Sequence, residues 1–399
     1  MRYVYMGVAK STSIKGVAGV EIAHAWAEGD GKRPLESLLE GFESRHPDVT
    51  VTDQYYPDLS LTVKSRILSE NPPSTWVEWP GESLTPYMEA SVLADISELW
   101  TETDMSEAYL EGPQNLARID GEYVAVPINI HRLNSLFYNT ELVEEHGLDP
   151  GRIESPRAFL DVLEEIDTDS VIGLQQPMKN PWTVLQLFSM LLIGQFGPET
   201  YRNVTGGDGP AYENEIRETV TLLDRYADLA SEDATFLGMV EANEQFIDGE
   251  SIFFTQGDWV AGTYRDIEGF DYGSEWDHVP FPGTDGVYAM GMDAIVASAD
   301  QQGEKDTRTF LEFVGSPTAL QAYNKEKGAI PPRRDVAIDG YPPFLQDQYR
   351  DFKQSGEQVG SDALETHPER FVDAKAALAR FVAERDVEST TQDFLEAYS

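Results

Sequence analysis

Cysteine is absent and lysine is scarce in this chain of 399 residues. Without cysteine there can be no disulfide, no thiolate metal site and no cysteine nucleophile. Only 29 lysines and arginines, 10 of them lysines, stand against 71 aspartates and glutamates, so the formal net charge is -42. A chain this acidic repels nucleic acid phosphates and anionic lipid headgroups, and we expect no nucleic acid partner.

Long apolar runs and common catalytic signatures are also missing. The longest apolar run is VLQLFSMLLIG at 184–194, much shorter than the roughly 20 residues that a membrane-spanning helix needs. The chain has no H-E-x-x-H pair, no Walker loop, no G-x-S-x-G elbow and no G-x-G-x-x-G turn after a strand. We therefore expect no metal, no cofactor and no catalytic residue.

Aromatic and apolar residues are plentiful, at 11% and 41% of the chain, which contradicts the disorder that so large a charge usually indicates. The acidic residues are therefore expected on a solvated surface, a composition that resembles proteins of extreme halophiles. The length favours two or three lobes. Residues 1–20 contain Arg2, Lys10 and Lys15 but no acid, and we expect either a disordered tail or an artefact of the gene start that replaces an export signal.

From Val20 onward, short apolar strands alternate with amphipathic helices, the pattern of an α/β fold. The first series comprises strands at 20–26, 49–56 and 74–79, with helices at 33–46 and 58–70 between them. This order indicates a parallel sheet, in which ligands bind beyond the carboxyl ends of the strands. Trp26, Glu78 and Trp79 lie at such ends.

A second series follows 126–139. It comprises a helix at 155–166 with Ser155 as N-cap, a strand at 171–176 and helices at 181–195 and 213–230. Strand-like stretches follow near 251–260, 278–283 and 292–298, helices dominate from about 303, and GPETYRNVTGGDGP at 197–210 is expected to be a long surface loop.

The stretch VPINIHRLNSLFYN at 126–139 begins and ends as a buried strand but carries His131, Arg132 and Asn134 in its middle. The whole chain has only 6 histidines. Because the stretch lies between the two α/β series, we interpret it as a crossover between lobes, with His131 at the cleft floor. A satisfied histidine in a lobe interface remains the alternative. Arg132 and Asn134 are not assigned to the site, because they could serve only to fix the hinge.

Four tryptophans adjoin predicted strands or helix starts and have polar neighbours: Trp26, Trp79, Trp182 and Trp259. Sugars present apolar C–H faces and hydroxyls, so a sugar site needs aromatic planes for stacking and carboxylates to accept hydrogen bonds. Any one of these tryptophans could simply pack in a core or a lobe interface. Four such placements together favour a cleft.

Two charged residues further along also suit a binding site. Asp293 is flanked by apolar, strand-like residues, where a charge needs a partner such as a buried arginine or a ligand hydroxyl. Lys327 is notable because lysine is scarce, although a cation that completes a helix C-terminus before Gly328 explains it equally well.

Several segments together resemble family 1 extracellular solute-binding proteins, which serve ABC-type sugar importers. The segments are FIDGESIFFTQGDWVAGTY at 246–264, PINIHRLNSLFYN at 127–139, FPGTDGVY at 281–288, NKEKGAIPPR at 324–333 and AHAWAEGDG at 23–31. The second of these is similar to the crossover strand of glucose/mannose-binding members. The resemblance covers nearly everything from Val20 onward.

The resemblance implies a type II periplasmic-binding-protein fold, with two α/β lobes joined by a three-segment hinge that closes around one sugar. We expect one lobe from 21–130 and 293–330 and the other from 131–292 and 331–399, with the C-terminal helices partly spanning both. The resemblance implies that the cleft positions of the family correspond to Trp26, Asp30, Trp79, His131, Trp182, Trp259, Asp293, Lys327 and, with a looser alignment, His367. We also expect Glu78 to bind the substrate. Asp258 is expected to cap the helix that follows it.

The chain departs from the glucose-binding members that it resembles at two positions, with Ala27 in place of a second aromatic residue and Trp79 in place of a histidine. The implied function is still a non-enzymatic extracellular binding protein that delivers a sugar, of glucose-like monosaccharide type, to a membrane ABC permease. We expect a monomer associated with the cell surface. The alternatives are a secreted glycosidase that uses Glu78 and Asp293, or a sugar-sensing binding module.

Overall fold

The computed structural model of the chain describes residues 19–26, 31–166 and 171–399. The strands are β1 Gly19–His24, β2 Thr50–Tyr55, β3 Thr75–Glu78, β4 Arg118–Ile119, β5 Glu122–Tyr123, β6 Ala125–Pro127, β7 His131–Arg132, β8 Ser135–Asn139, β9 Ile172–Gln175, β10 Ser251–Gln256, β11 Trp276–Pro280, β12 Val287–Gly291, β13 Ala294–Ala297 and β14 Glu357–Gly360.

The helices are α1 Lys32–Arg45, α2 Leu59–Leu68, α3 Thr85–Glu89, α4 Ser97–Glu102, α5 Met105–Ala108, α6 Glu111–Leu116, α7 Thr140–Glu145, α8 Pro156–Glu165, α9 Pro181–Phe196, α10 Pro198–Asn203, α11 Glu213–Leu229, α12 Met239–Ile247, α13 Ala261–Tyr264, α14 Lys305–Val314, α15 Pro317–Lys327, α16 Pro343–Gln354, α17 Asp362–Glu365, α18 Pro368–Glu384 and α19 Val387–Ala397. Within the described ranges, none of these helices has the length and apolarity that crossing a bilayer requires.

The first lobe is built on a five-stranded sheet with the order β2-β1-β3-β13-β6. β1 runs parallel to β2 and β3, whereas β13 runs antiparallel to β3 and β6. The apolar face of α1, with Leu35, Leu38 and Phe42, is buried in the lobe core, as its spacing predicts. The same core also contains residues from much later in the chain, between 294 and 323 and at Val336.

The second lobe contains a four-stranded sheet with the order β11-β8-β10-β9. Its central helix is α9, in which every residue from Thr183 to Ile193 is buried. The longest apolar run of the sequence is therefore a helix packed on all sides within this lobe. α8, α11, α18 and α19 contribute to the same core.

Three segments connect the lobes. The first runs from β6 to β7, the second from β12 to β13, and the third follows α15. β7 and β12 pair antiparallel, with Gly291 opposite His131, and Ile130 forms a bridge with Ile330. The stretch at 126–139 therefore divides into β6, β7 and β8, and its polar middle lies where the chain passes between the sheets.

The prediction of a long surface loop at 197–210 is wrong. Pro198 starts the short helix α10, and a π-helical turn follows at Val204–Asp208. Val204 and Thr205 are buried, and the glycines are accommodated because Gly197 and Gly207 adopt positive φ angles of 87° and 109°. Glycine and proline thus mark the ends of short helical turns here rather than an open loop.

Candidate functional site

Two adjoining cavities lie between the lobes. Cavity A, of about 420 Å³, is lined by residues that include Trp26, Asp58, Lys64, Glu78, Trp79, Asp293, Phe371 and Lys375. Cavity B, of about 390 Å³, is lined by residues that include Trp79, Leu133, Trp182, Gln186, Trp259, Met292, Asp362, Phe371 and Lys375. Both volumes fall in the range of small-molecule sites. Because three residues line both cavities, A and B form one cleft.

The strand order explains why these residues meet. β1 and β3 are parallel neighbours, so Trp26 and Trp79 follow carboxyl ends at the same edge of the first-lobe sheet. β13 runs the opposite way, with Ala294 opposite Glu78, so Asp293 lies at that edge as well. The sequence-predicted residues therefore converge here although they are up to 267 positions apart in the numbering, which is 293 minus 26.

Glu78 is the carboxylate at the end of β3. It accepts hydrogen bonds from the Trp79 backbone N–H and the Tyr87 hydroxyl, both at 3.1 Å. Burial raises the pKa of the Glu78 carboxyl to about 7, because desolvation disfavours the charged form more than these hydrogen bonds favour it. Glu78 can therefore accept or donate a hydrogen bond near neutral pH.

Asp293 finds its partner in Asn129. The Asn129 amide donates from Nδ2 to Asp293 Oδ2 at 2.7 Å, and the Asp293 backbone N–H donates to Asn129 Oδ1 at 2.7 Å. This reciprocal pair ties the first crossover to the second. The expected need for a partner is thus met by an amide rather than an arginine, and Asp293 Oδ1 is left without a donor in the described part of the chain.

Trp26 and Lys327 lie together on the first-lobe side. Lys327 is the last residue of α15, before Gly328 in the left-handed conformation, and its Nζ lies 5.8 Å from the Trp26 ring centroid. Both interpretations of Lys327 are therefore compatible with its position. The Trp26 ring also lies 6.3 Å from that of Tyr323, which leaves Trp26 half-buried at the cavity wall.

Three tryptophans, Trp79, Trp182 and Trp259, line cavity B. Trp182, at the start of α9, and Trp259, after β10, have ring centroids 6.1 Å apart, and Trp259 Nε1 donates to Met239 Sδ at 3.1 Å. Trp79 is 42% exposed and Trp182 is 37% exposed, although both are large apolar side chains. Rings held in place and left uncovered are suited to stacking against a ligand.

His131 is buried behind this wall. Its Nδ1 lies 2.6 Å from Asp258 Oδ1, and its ring lies edge to face with Trp259 at 5.5 Å. His131 Nε2 is buried and has no hydrogen-bond partner among the described residues. His131 does not line cavity A or cavity B, and it contacts the cleft through Trp259.

The expected capping role of Asp258 is wrong. The turn at Asp258–Val260 has no side-chain cap, and Asp258 Oδ2 instead accepts from the Arg132 backbone N–H at 2.9 Å. The fully buried Asp258 carboxylate thus holds the crossover strand β7 through both His131 and Arg132. A carboxylate without solvent must satisfy its oxygens inside the protein, and two donors of β7 are within reach.

Two other predicted site residues are placed differently. His367 is the N-cap of α18, where its Nδ1 accepts from the Glu369 backbone N–H at 3.4 Å. Its neighbours Pro368 and Phe371 line cavity A, but His367 does not. Asp30 lies outside the described residues. Within those residues, no group of three or more histidine and acidic side chains is arranged to hold a metal ion.

Several cleft residues are not identified from the sequence, among them Asp362, Phe371 and Lys375. Asp362 accepts from Ser189 Oγ and the Tyr398 hydroxyl, both at 2.6 Å, and burial raises the pKa of its carboxyl. Phe371 and Lys375 lie one turn apart on α18, with Lys375 Nζ 4.0 Å from the Phe371 ring centroid. The scarcity of lysine, which drew attention to Lys327, is a signal that applies equally to Lys375.

Comparisons with known proteins agree on the type of protein. The family described as bacterial extracellular solute-binding protein matches residues 37–348. A xylose/arabinose-binding protein, XacG of Haloferax volcanii, is 33% identical over 392 residues, which cover 95% of this chain and 84% of that protein. An uncharacterised ABC transporter extracellular-binding protein of Pyrococcus horikoshii is 25% identical, over 97% of this chain and 88% of that protein.

Solved structures share the fold. The bacterial solute receptor AcbH, described as having an exclusive substrate preference for β-D-galactopyranose, superposes with a TM-score of 0.84 at 15% identity, over 95% of this chain and 97% of that one. A chitin oligosaccharide binding protein gives a TM-score of 0.83 at 14% identity, over 95% and 98% of the two chains. The expected type II periplasmic-binding-protein fold is therefore confirmed.

Proposed function

The chain belongs to the family of bacterial extracellular solute-binding proteins, and from this premise we propose that it binds a monosaccharide in the cleft formed by cavities A and B. The observation that carries the proposal is the pairing of uncovered tryptophan rings with carboxylates in one cleft. Rings can stack on the apolar face of a pyranose, and carboxylates can accept from its hydroxyls. The named relatives and structural neighbours are substrate-binding proteins rather than enzymes.

The roles of individual residues follow from their positions. Trp79, Trp182 and Trp259 would provide the stacking surfaces, while Glu78 and Asp293 Oδ1 would accept from hydroxyls. Trp26 and Lys327 would close the first-lobe end, and His131 would act by holding Trp259. The sugar would have a glucose-like ring or, as the name of the Haloferax relative suggests for that protein, the ring of a pentose such as xylose or arabinose.

Delivery to a membrane permease would complete the function. Closure of the two lobes around the sugar would present both lobes to the permease of an ABC importer, outside the cell and at its surface. We propose that the protein acts as a monomer.

Tryptophan fluorescence titration tests the proposal. The protein is titrated at high salt with D-glucose, D-galactose, D-xylose and L-arabinose, and the emission of the cleft tryptophans should change with saturation for at least one sugar. Trp259→Ala should abolish the response, whereas Trp100→Phe should keep it, because Trp100 is buried in the first-lobe core away from the cleft. A flat titration with every monosaccharide, neutral or charged, would contradict the proposal.

A glycosidase is the second candidate, because Glu78 has the raised pKa that a general acid needs and Asp293 lines the same cavity. A binding protein releases its sugar chemically unchanged, whereas a glycosidase hydrolyses a glycosidic bond. Prolonged incubation with oligosaccharides should release no reducing ends if the protein only binds. If reducing ends are released by the wild type but not by Glu78→Gln, the protein is a glycosidase and the binding proposal is wrong.

A further inference from the structure

Lys375 occupies the junction of the cleft. It is one of the residues that line both cavities, together with Trp79 and Phe371. Its ammonium lies 4.0 Å from the Phe371 ring centroid, and its side chain is half-buried on α18. A ligand that fills either cavity would therefore lie close to this cation.

The ammonium of Lys375 has no carboxylate partner in the described part of the chain, although carboxylates surround the cleft. Four carboxylates line the cavities, and each is hydrogen-bonded elsewhere: Asp58 to the Leu61 N–H, Glu78 to the Trp79 N–H and Tyr87, Asp293 to Asn129, and Asp362 to Ser189, Tyr201 and Tyr398. Lys64, which also lines cavity A, is exposed and likewise forms no ion pair among these residues.

This arrangement is unusual for this chain. The half-buried or buried arginines Arg66, Arg333 and Arg385 each pair with a carboxylate. With 71 acidic residues in the sequence, partners are abundant. Burial lowers the pKa of Lys375, because the cation loses solvent and no opposite charge compensates it. A half-buried cation left unpaired at a cleft is poised for an anion that arrives with the ligand.

We propose that the ligand is an acidic monosaccharide, a uronate whose carboxylate pairs with Lys375 while its ring stacks on the tryptophans of the cleft. This inference rests on the proposed function and narrows its substrate class. One ammonium matches one carboxylate, and the exposed Lys64 would contribute a weaker, longer-range attraction. Because the chain as a whole is strongly acidic, an anionic ligand is held only where such a local cation exists.

A matched set of sugars isolates the carboxylate. D-Glucuronate, D-glucose and D-xylose share ring stereochemistry and differ only at C5, which carries a carboxylate, a hydroxymethyl group or hydrogen. D-Galacturonate, D-galactose and L-arabinose form the corresponding second set. Dissociation constants are measured by calorimetry in about 1 M salt, where the Debye length is about 3 Å and only direct contact between charges persists.

The variants are Lys375→Gln, Lys375→Arg and, as a control, Lys353→Gln. Lys353 also lies over an aromatic ring, 5.4 Å from the Tyr349 centroid, but lines neither cavity. In one of the two sets the uronate should bind roughly 10- to 100-fold more tightly than its neutral partners, the range expected for a charge-assisted bond. Lys375→Gln should remove this preference, Lys375→Arg should keep most of it, and Lys353→Gln should not change it.

Each other outcome has a definite meaning. Neutral sugars that bind as tightly as their uronates, or a preference for uronates that survives in Lys375→Gln, would overturn this inference while leaving the proposed function intact. Tighter binding of D-glucose 6-phosphate than of D-glucuronate would overturn it in favour of a phosphorylated sugar. If none of the six sugars binds, the proposed function fails together with it.

Discussion

Trp79 of the first lobe and Phe371 of the second lobe meet edge to face across the cleft, with ring centroids 5.9 Å apart and planes at 89°. This geometry is the favoured one for an aromatic pair. Since both rings also line cavities A and B, this contact between the lobes is part of the proposed binding site. Binding and lobe closure are therefore expected to be coupled through this pair.

Phe371→Ala should shift the unliganded protein towards an open cleft. Loss of the aromatic pair removes about 1 kcal/mol of interlobe attraction, a change of roughly fivefold in the equilibrium. Because the chain has no cysteine, spin labels can be attached to Glu40→Cys and Glu384→Cys, and their distance distribution reports opening. Val372→Ala, on the same helix but outside the ring pair, is the control. An unchanged distribution in Phe371→Ala would show that the pair does not hold the lobes.

Glu78→Gln should change how stability depends on pH. Glu78 has an ordinary pKa of 4.5 and a folded-state pKa of about 7. Between these values the folded state keeps a proton that the unfolded state releases, so the contribution of Glu78 to stability is complete below 4.5 and is lost as pH rises through about 7. As the pH rises from 5 to 8, the free energy of unfolding of the wild type should therefore fall relative to that of the neutral variant Glu78→Gln, by on the order of 2 kcal/mol.

Urea unfolding at the two pH values measures this change. Glu82→Gln, which removes an exposed carboxylate nearby, is the control and should show no such change. A difference between wild type and Glu78→Gln that is the same at pH 5 and pH 8 would contradict the shifted pKa.

Asp293→Asn should weaken sugar binding with little effect on folding. The substitution preserves size but replaces a charged acceptor at the cleft by an amide, which makes a weaker bond with a hydroxyl, and a loss of about tenfold in affinity is expected. Asn129→Ala should weaken binding as well, because it removes the amide that fixes Asp293. Equal affinities in wild type and Asp293→Asn would remove Asp293 from the site.

Asp258→Ala should destabilise the fold. It leaves His131 and the Arg132 backbone N–H without their buried acceptor, at a cost of about 3 kcal/mol. The free energy of unfolding from urea titration measures this loss. Asp285→Ala, at an exposed carboxylate of the second lobe, should change it by less than about 0.5 kcal/mol. Similar losses in both variants would indicate that Asp258 has no special role.

The local features of the fold could be predicted from the sequence because short-range physics determines them. The apolar spacing of α1 located its buried face, and Ser155 caps α8 by accepting from the Ala158 N–H at 3.1 Å, as predicted. The tryptophans at the carboxyl ends of strands could also be placed at one edge, because the order of a parallel sheet determines that edge.

The remaining features depend on how distant elements pack. Asp258 bonds to a strand 126 residues earlier, and nothing near Asp258 in the sequence distinguishes that contact from a helix cap. Phe371 and Lys375 lie on an amphipathic helix, and only the position of α18 across the lobes exposes their side of it to the cleft. Proline and glycine at 197–210 suggested a loop because the packing that buries Val204 and Thr205 is not local.

A contact at Gly81, next to the end of β3, bears on how the two lobes can move. It adopts a positive φ of 81°, and a side chain there would come within 2.4 Å of the Leu364 carbonyl oxygen of α17. Beside it, the Ser83 hydroxyl donates to the Ala363 carbonyl at 2.5 Å. The lobes therefore touch backbone to backbone at one side, as well as through the crossovers. Such a contact should act as a pivot together with the crossovers, so that the cleft is expected to open by rotation of the lobes rather than by their general separation.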